Sequence, residues 1–224
     1  MTSARDDILG TIRRSLGVRG DERTRRSIVE ERIERSPKGL LPARGQVSGA
    51  ERIDLFEKQA VGVQATVARV NDASEVPAAV AEYLRSQNLP ADLRMGSDPR
   101  LQGMPWAQTS LEVREGVSDG TDLNAVSHAF GGVAETGTLV MTSGPENPST
   151  LNFLPDNHIV VVEAKDIQGD YEEVWSRIRF AYGKGEMPRT VNYITGPSRS
   201  GDIEQTIFLG AHGPRRLHIV VVGE

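Results

Sequence analysis

The chain has 224 residues, 38% of them hydrophobic and 25% charged, with a formal net charge of -5 and no cysteine. That length suits one α/β domain with a smaller appendage, and the acidic balance gives no general attraction for nucleic acid or an anionic membrane. Without cysteine there is no disulfide framework, no thiol nucleophile and no thiolate for zinc or an iron–sulfur cluster, so redox groups are expected on other subunits rather than here.

The four histidines, His128, His158, His212 and His218, include no pair at helical i, i+4 spacing, so no protein-ligated catalytic metal is expected. No apolar run approaches the ~20 residues of a membrane span, and the first residues lack the apolar region of a signal peptide. The expected location is cytoplasmic, with no membrane span.

In chain order, Ala4–Leu16 has Ile8, Leu9, Ile12 and Leu16 on one stripe with Gly17 after it, which predicts a short amphipathic helix. Arg19 to Val47 is rich in Arg and Glu with few large apolar residues, and reads as a charged linker or arm. The sequence thus divides into an N-terminal helix and arm (1–47) and an α/β domain (48–224). Ile53, Leu55, Phe56 and Ala60 predict a helix, and residues 64–70 a strand. Asp72 and Glu75 form a capping signal for a helix reaching Asn88. Short strands are expected at Asp92–Met95 and 110–114, and a helix at 122–130. Further strands are expected at Thr138–Thr142, 158–163, 191–195 and 217–222, with an amphipathic helix over 170–182. The Ile-Val-Val-Val run at 159–162 suits burial on both faces. Alternating strands and helices predict a mostly parallel sheet with helices on both faces.

Ligands of such sheets bind on loops beyond the carboxyl ends of strands, which directs attention to glycine-rich polar loops. In Gly131-Gly132-Val133-Ala134-Glu135-Thr136-Gly137-Thr138, Glu135 is a candidate base, nucleophile or hydroxyl anchor, and Thr136, Gly137 and Thr138 are candidates to bind an anionic oxygen. The competing reading is a tight bend at Gly137 with polar side chains satisfying buried backbone. The loop 143–150 is a candidate rim. In Gly196-Pro197-Ser198-Arg199-Ser200-Gly201-Asp202, Ser198, Ser200 and Asp202 offer polar groups and Arg199 a fork for a carboxylate or phosphate. This turn is expected to open a short helix; a capped helix start without a ligand fits equally well. His212, between glycines, is a candidate proton donor or a plain surface-turn residue, and Asp156 and His158 read as loop structure. No Walker A loop, dinucleotide fingerprint or Gly-x-Ser-x-Gly elbow is present.

The Ala-Glu-Thr-Gly-Thr stretch at 134–138, Leu-Pro-Asp-Asn-His at 154–158, Gly-Pro-Ser-Arg-Ser-Gly-Asp-Ile-Glu at 196–204 and Gly-x-His-Gly-Pro-Arg at 210–215 together resemble the lactate utilisation protein C (LutC, also YkgG) family. Ser200-Gly201 departs from the Thr-Ala pair expected there. The resemblance implies the sugar-phosphate isomerase and CoA-transferase type of α/β fold. It also implies a role as a non-redox subunit in L-lactate oxidation to pyruvate, with iron–sulfur clusters on partner proteins and no cofactor in this chain. Two other functions stay open. One is a stand-alone enzyme acting on a CoA-linked or phosphorylated metabolite, with Glu135 echoing a CoA-transferase glutamate. The other is a scaffold whose arm at 19–47 recruits redox partners.

Overall fold

In the computed structural model, described for residues 3–201 and 207–224, the chain divides after Gly39 into two units. The first holds helices α1 (Ala4–Leu16) and α2 (Arg23–Arg35). Ser3 caps α1 by accepting from the Asp6 N–H, and Gly17 ends it at φ 62°. A helix α2 where the composition suggests a linker has a simple cause. Its Arg and Glu residues are good helix formers, and Arg26–Glu30 and Glu31–Arg35 pair at four-residue spacing. Neither helix buries a residue, so α2 is a solvated helix held by local terms.

Residues 40–47, which composition groups with the arm, belong to the second unit. Gly45 is buried in a 3₁₀ turn, and Gln46 Nε2 donates to Asp170 Oδ2 at 2.8 Å. The unit continues through α3 (Gly49–Gly62), β1 (Thr66–Val70), α4 (Val76–Ser86), β2 (Asp92–Met95), α5 (Pro99–Gln102) and β3 (Glu112–Glu115). It then runs through β4 (Asn124–His128), β5 (Gly131–Val133), β6 (Thr138–Thr142), α6 (Thr150–Phe153), β7 (Asn157–Glu163) and β8 (Ile167–Gln168). The chain ends with α7 (Tyr171–Tyr182), β9 (Val191–Ile194), β10 (Arg199–Gly201), β11 (Ile207–Leu209) and β12 (Arg216–Val222).

Six strands form a parallel sheet in the order β1-β12-β7-β4-β2-β3. The apolar run of β7 sends alternate side chains to opposite faces, as a two-residue period requires. Val160 and Val162 join Phe56 and Ala60 of α3 in one core, while Ile159 and Val161 join Val80 and Leu84 of α4 in the other. The expected α/β class is therefore the one found: a parallel sheet covered on both faces. A second sheet, in the order β8-β5-β6-β9, packs Val133 and Val140 against Val174 and Ile178 of α7.

One local expectation is corrected. Residues 122–130, expected as a helix, hold strand β4, whose five residues are all buried between β2 and β7. Two of its polar members, Asn124 and Ser127, are satisfied sideways. Asn124 Nδ2 donates to the carbonyls of Pro90 and Asp92, and Ser127 bonds to His158. Burial between two strands thus overrides the ambiguous local pattern. After Ser198 the chain enters β10, which pairs antiparallel with β11, Arg199 opposite Leu209; the short helix expected to follow Ser200 and Gly201 falls on 202–206, outside the described residues.

Strand order also marks where a ligand belongs. From β2 the chain moves outward to β3, whereas from β4 it moves the other way, to β7 and then β12. The loops after β2 and β4 therefore diverge, and the crevice they leave at the carboxyl edge is a topological switch point.

Candidate functional site

The β5–β6 hairpin turns over residues 134–137, with Gly137 at φ 65°. A Cβ there would overlap the Ala60 backbone, so only glycine lets this turn seat on α3. Backbone N–H groups of Ala134 and Glu135 donate to the carbonyls of Gln168 and Gly169 at 2.8 and 3.1 Å. Glu135 is buried, and its Oε2 has no hydrogen-bond partner; Arg44 Nε lies 3.6 Å away. The 3₁₀ turn at Ala43–Gly45 closes over the carboxylate, with Gly45 against Gly169 backbone to backbone.

Next to it lies a hydroxyl cluster. Thr138 Oγ1 is 2.7 Å from both Thr136 Oγ1 and Thr195 Oγ1, and the Tyr171 hydroxyl is 3.0 and 3.1 Å from Thr136 and Thr138. Tyr193, in ring contact with Tyr171 at 5.4 Å, has a buried hydroxyl with no partner, and burial pushes its pKa up to about 12. Glu135, Thr136, Gly137 and Thr138 thus come together, but in a packed hairpin rather than an open cleft.

The other sequence candidates form a second group. Ser198 N–H donates to the Pro214 carbonyl at 2.8 Å, its carbonyl accepts from Gly210 at 3.0 Å, and its hydroxyl accepts from the His212 N–H at 3.4 Å. His212 and Arg199 are exposed, and Ser200 is half-buried in the hairpin strand. Asp202, with Ile203 and Glu204 of the same motif, lies outside the described residues. The Thr138–Thr195 hydroxyl contact extends the β6–β9 pairing that joins the Glu135 hairpin to the strand leading toward Ser198.

The switch point carries a different constellation. Asp98 caps α5 by accepting from the Arg100 N–H, and Arg100 also donates to both its carboxylate oxygens, from Nε at 3.0 Å and Nη2 at 2.6 Å. Burial raises the Asp98 pKa, but these hydrogen bonds outweigh it and hold the carboxyl below its ordinary value. His128, at the end of β4, is 1% exposed, and burial followed by the Arg100 charge lowers its pKa. Its Nδ1 lies 2.9 Å from the Ala129 carbonyl, which can only accept, so Nδ1 carries the proton of the neutral ring. Nε2 is then a bare acceptor, buried and unpartnered, with Glu163 Oε1 3.8 Å away at the end of β7.

Asp98, Arg100 and His128 line a cavity of about 200 Å³, walled by Phe130 and Tyr182 and rimmed by Ser143, Gly144, Glu146 and Asn147; Glu163 reaches it only through His128. Gly96 makes the rim possible, because a Cβ there would overlap the Glu146 carbonyl. A larger groove of about 630 Å³ lies over the ends of β1 and β12 and includes Arg52, Arg69 and Lys165. Its arginines are already engaged, Arg69 by Asp54 and Glu57 and Arg52 by the Val47 carbonyl. The smaller cavity is the one lined by an unsatisfied buried group, which is what a ligand would complete.

Of this constellation only the rim was a candidate from sequence. Asp98-Pro99 after a strand is a readable cap signal. His128 was hidden because its segment lacks a clear strand pattern, and the switch point exists only once the strand order is known.

Comparison with known proteins bears on what this scaffold is. The LUD domain family model matches residues 124–222, from β4 to β12. A lactate utilization protein C of Deinococcus radiodurans is 30% identical over 88% of this chain and 91% of its own length. One from Geobacillus thermodenitrificans is 32% identical over 53% of this chain, and a Neisseria meningitidis protein described as uncharacterized is 35% identical over 41%. In those two alignments the chain spans 52% and 38% of the relative's length. The crystal structure of a DUF162 family protein from Deinococcus radiodurans superposes with a TM-score of 0.58 over 79% of this chain and 99% of that one, at 22% identity, which speaks to the fold alone. Because the Deinococcus sequence alignment runs nearly end to end through both the parallel sheet and the hairpin motifs, this chain belongs to the lactate utilization protein C family.

Proposed function

We propose that the chain is a non-redox subunit of a bacterial L-lactate utilisation system. In this reading iron–sulfur partner proteins carry the electrons as L-lactate becomes pyruvate, and the whole system works in the cytoplasm. The observation that carries the reading is the alignment with the Deinococcus lactate utilization protein C across 88% of this chain. The absence of cysteine from all 224 residues supports the division of labour, since thiolates normally hold such clusters. Among the described residues, no helix is long and apolar enough to cross a membrane.

The test is growth of a clean deletion strain on L-lactate as sole carbon source, with and without the restored gene. Failure to grow, rescued by the gene, supports the role; normal growth in a strain with no paralogue refutes it. A stand-alone CoA-transferase-like activity would need Glu135 to reach an ester. The turn at 43–45 covers that carboxylate, which weighs against this alternative.

A further inference from the structure

The His128 ring presents a fixed tautomer. With Nδ1–H committed to the Ala129 carbonyl, Nε2 keeps a buried, unpartnered lone pair on a residue that lines the cavity, and Glu163, outside that lining, holds a second acceptor 3.8 Å from it. Two acceptors that close call for a proton donor beside them, since a buried acceptor left without one is destabilising. A ligand hydroxyl supplies such a donor. Beside His128 the wall carries Arg100, half-exposed, which keeps a cation at the cavity while its partner Asp98 has both oxygens occupied by it. Glu163 is in turn balanced by Lys165 at 4.0 Å. Phe130 offers an apolar surface. A volume of about 200 Å³ admits a molecule of only a few heavy atoms.

We propose that this cavity is a binding site for a short 2-hydroxycarboxylate, whose hydroxyl donates to His128 Nε2 beside Glu163 and whose carboxylate faces Arg100. The ligand class rests on the lactate role proposed above; the site itself rests on the geometry of β4, β7 and α5. Glu163 stabilises any proton that His128 accepts, because an imidazolium at Nε2 would face its carboxylate. His128 is thus the residue that distinguishes a hydroxy acid from the matching oxo acid.

The experiment is calorimetric titration of the purified full chain with L-lactate, D-lactate, pyruvate and propane-1,2-diol, alongside ¹⁵N spectra of its histidines. One lactate enantiomer is expected to bind at least about tenfold more tightly than pyruvate, which lacks the donor, and than the diol, which lacks the anion. The Nε2 resonance of His128 should move on adding lactate, a readout that needs no variant. His128→Phe should abolish the preference for lactate over pyruvate, and Glu163→Gln should weaken it. Equal affinity for lactate and pyruvate, absence of lactate binding at millimolar concentration, or an unmoved His128 resonance overturns the proposal. A strain that needs the gene for growth on L-lactate while the protein ignores lactate refutes the site and leaves the pathway role standing. Specific binding by the product of a dispensable gene does the reverse.

Discussion

Acidification should destabilise this protein well above the range where carboxylates titrate, through two histidines that take no part in the candidate site. His158 in β7 is fully enclosed, with Nε2 3.1 Å from Ser127 Oγ and Nδ1 unpartnered. His218 in β12 is stacked on Tyr83 at 3.9 Å, with Nδ1 2.8 Å from Thr66 Oγ1 and Nε2 unpartnered. Burial lowers their pKa values to about 3 and about 4 respectively. In the unfolded chain both return to roughly 6.5. Between those limits the unfolded state binds more protons, so stability rises with pH and falls as pH drops through about 6.5. From pH 8 to pH 5 each histidine removes about 2 kcal/mol, and the pair about 4, a large part of the ~5–15 kcal/mol that holds a typical domain. His128, also lowered by burial, acts in the same direction. Urea denaturation followed by tryptophan fluorescence at pH 8, 7, 6 and 5 measures the slope. His218→Phe and His158→Gln should each flatten it by about a third to a half, whatever they do to stability at pH 8. A profile level from pH 8 to pH 5, or one that keeps its full slope in both variants, would show that these rings are protonated in the fold and refute the reasoning.

Other substitutions probe the hairpin and the N-terminal unit. Gly137→Ala combines a left-handed backbone with an overlap on Ala60 and should cost more than the ~1–2 kcal/mol of the backbone conformation alone, read as a lower denaturation midpoint. Thr138→Val removes the hydroxyl that touches Thr136, Tyr171 and Thr195, and should cost about 1–3 kcal/mol on the same assay. Glu135→Gln should leave stability unchanged or raise it, because a buried, incompletely paired carboxylate gives way to a neutral amide; a loss above about 2 kcal/mol would mean that Arg44 holds it firmly. Removing residues 1–39 should leave the melting temperature of the α/β unit within a few degrees, since neither α1 nor α2 buries a residue.

Strong periodic signals were legible in the sequence, and relationships between distant segments were not. The Ile-Val-Val-Val run of β7 and the alternation of strands with helices announced a buried parallel sheet, because their cause is local. Asn124-Ala-Val-Ser-His carries no such signature. It is a strand because β2 and β7 flank it and neighbouring groups satisfy Asn124 and Ser127. The Glu135 turn was found through its glycines, yet its enclosure depends on Gly45 and its hydroxyl partner Tyr171 lies 35 positions beyond Thr136. Likewise Asp98 and His128 meet only because the sheet reverses its winding between β2 and β4.

Gly45 and Gly169 act as the two faces of a seam. Each leaves room for the other's carbonyl, so a single methyl group on either side is a wedge that would prise the 43–45 turn away from the hairpin. Glu135 lies directly under that seam. Its isolation from water is therefore governed less by its own neighbours than by the missing side chains of two residues far apart in the chain, and widening the seam by one carbon would turn a sealed carboxylate into an accessible one.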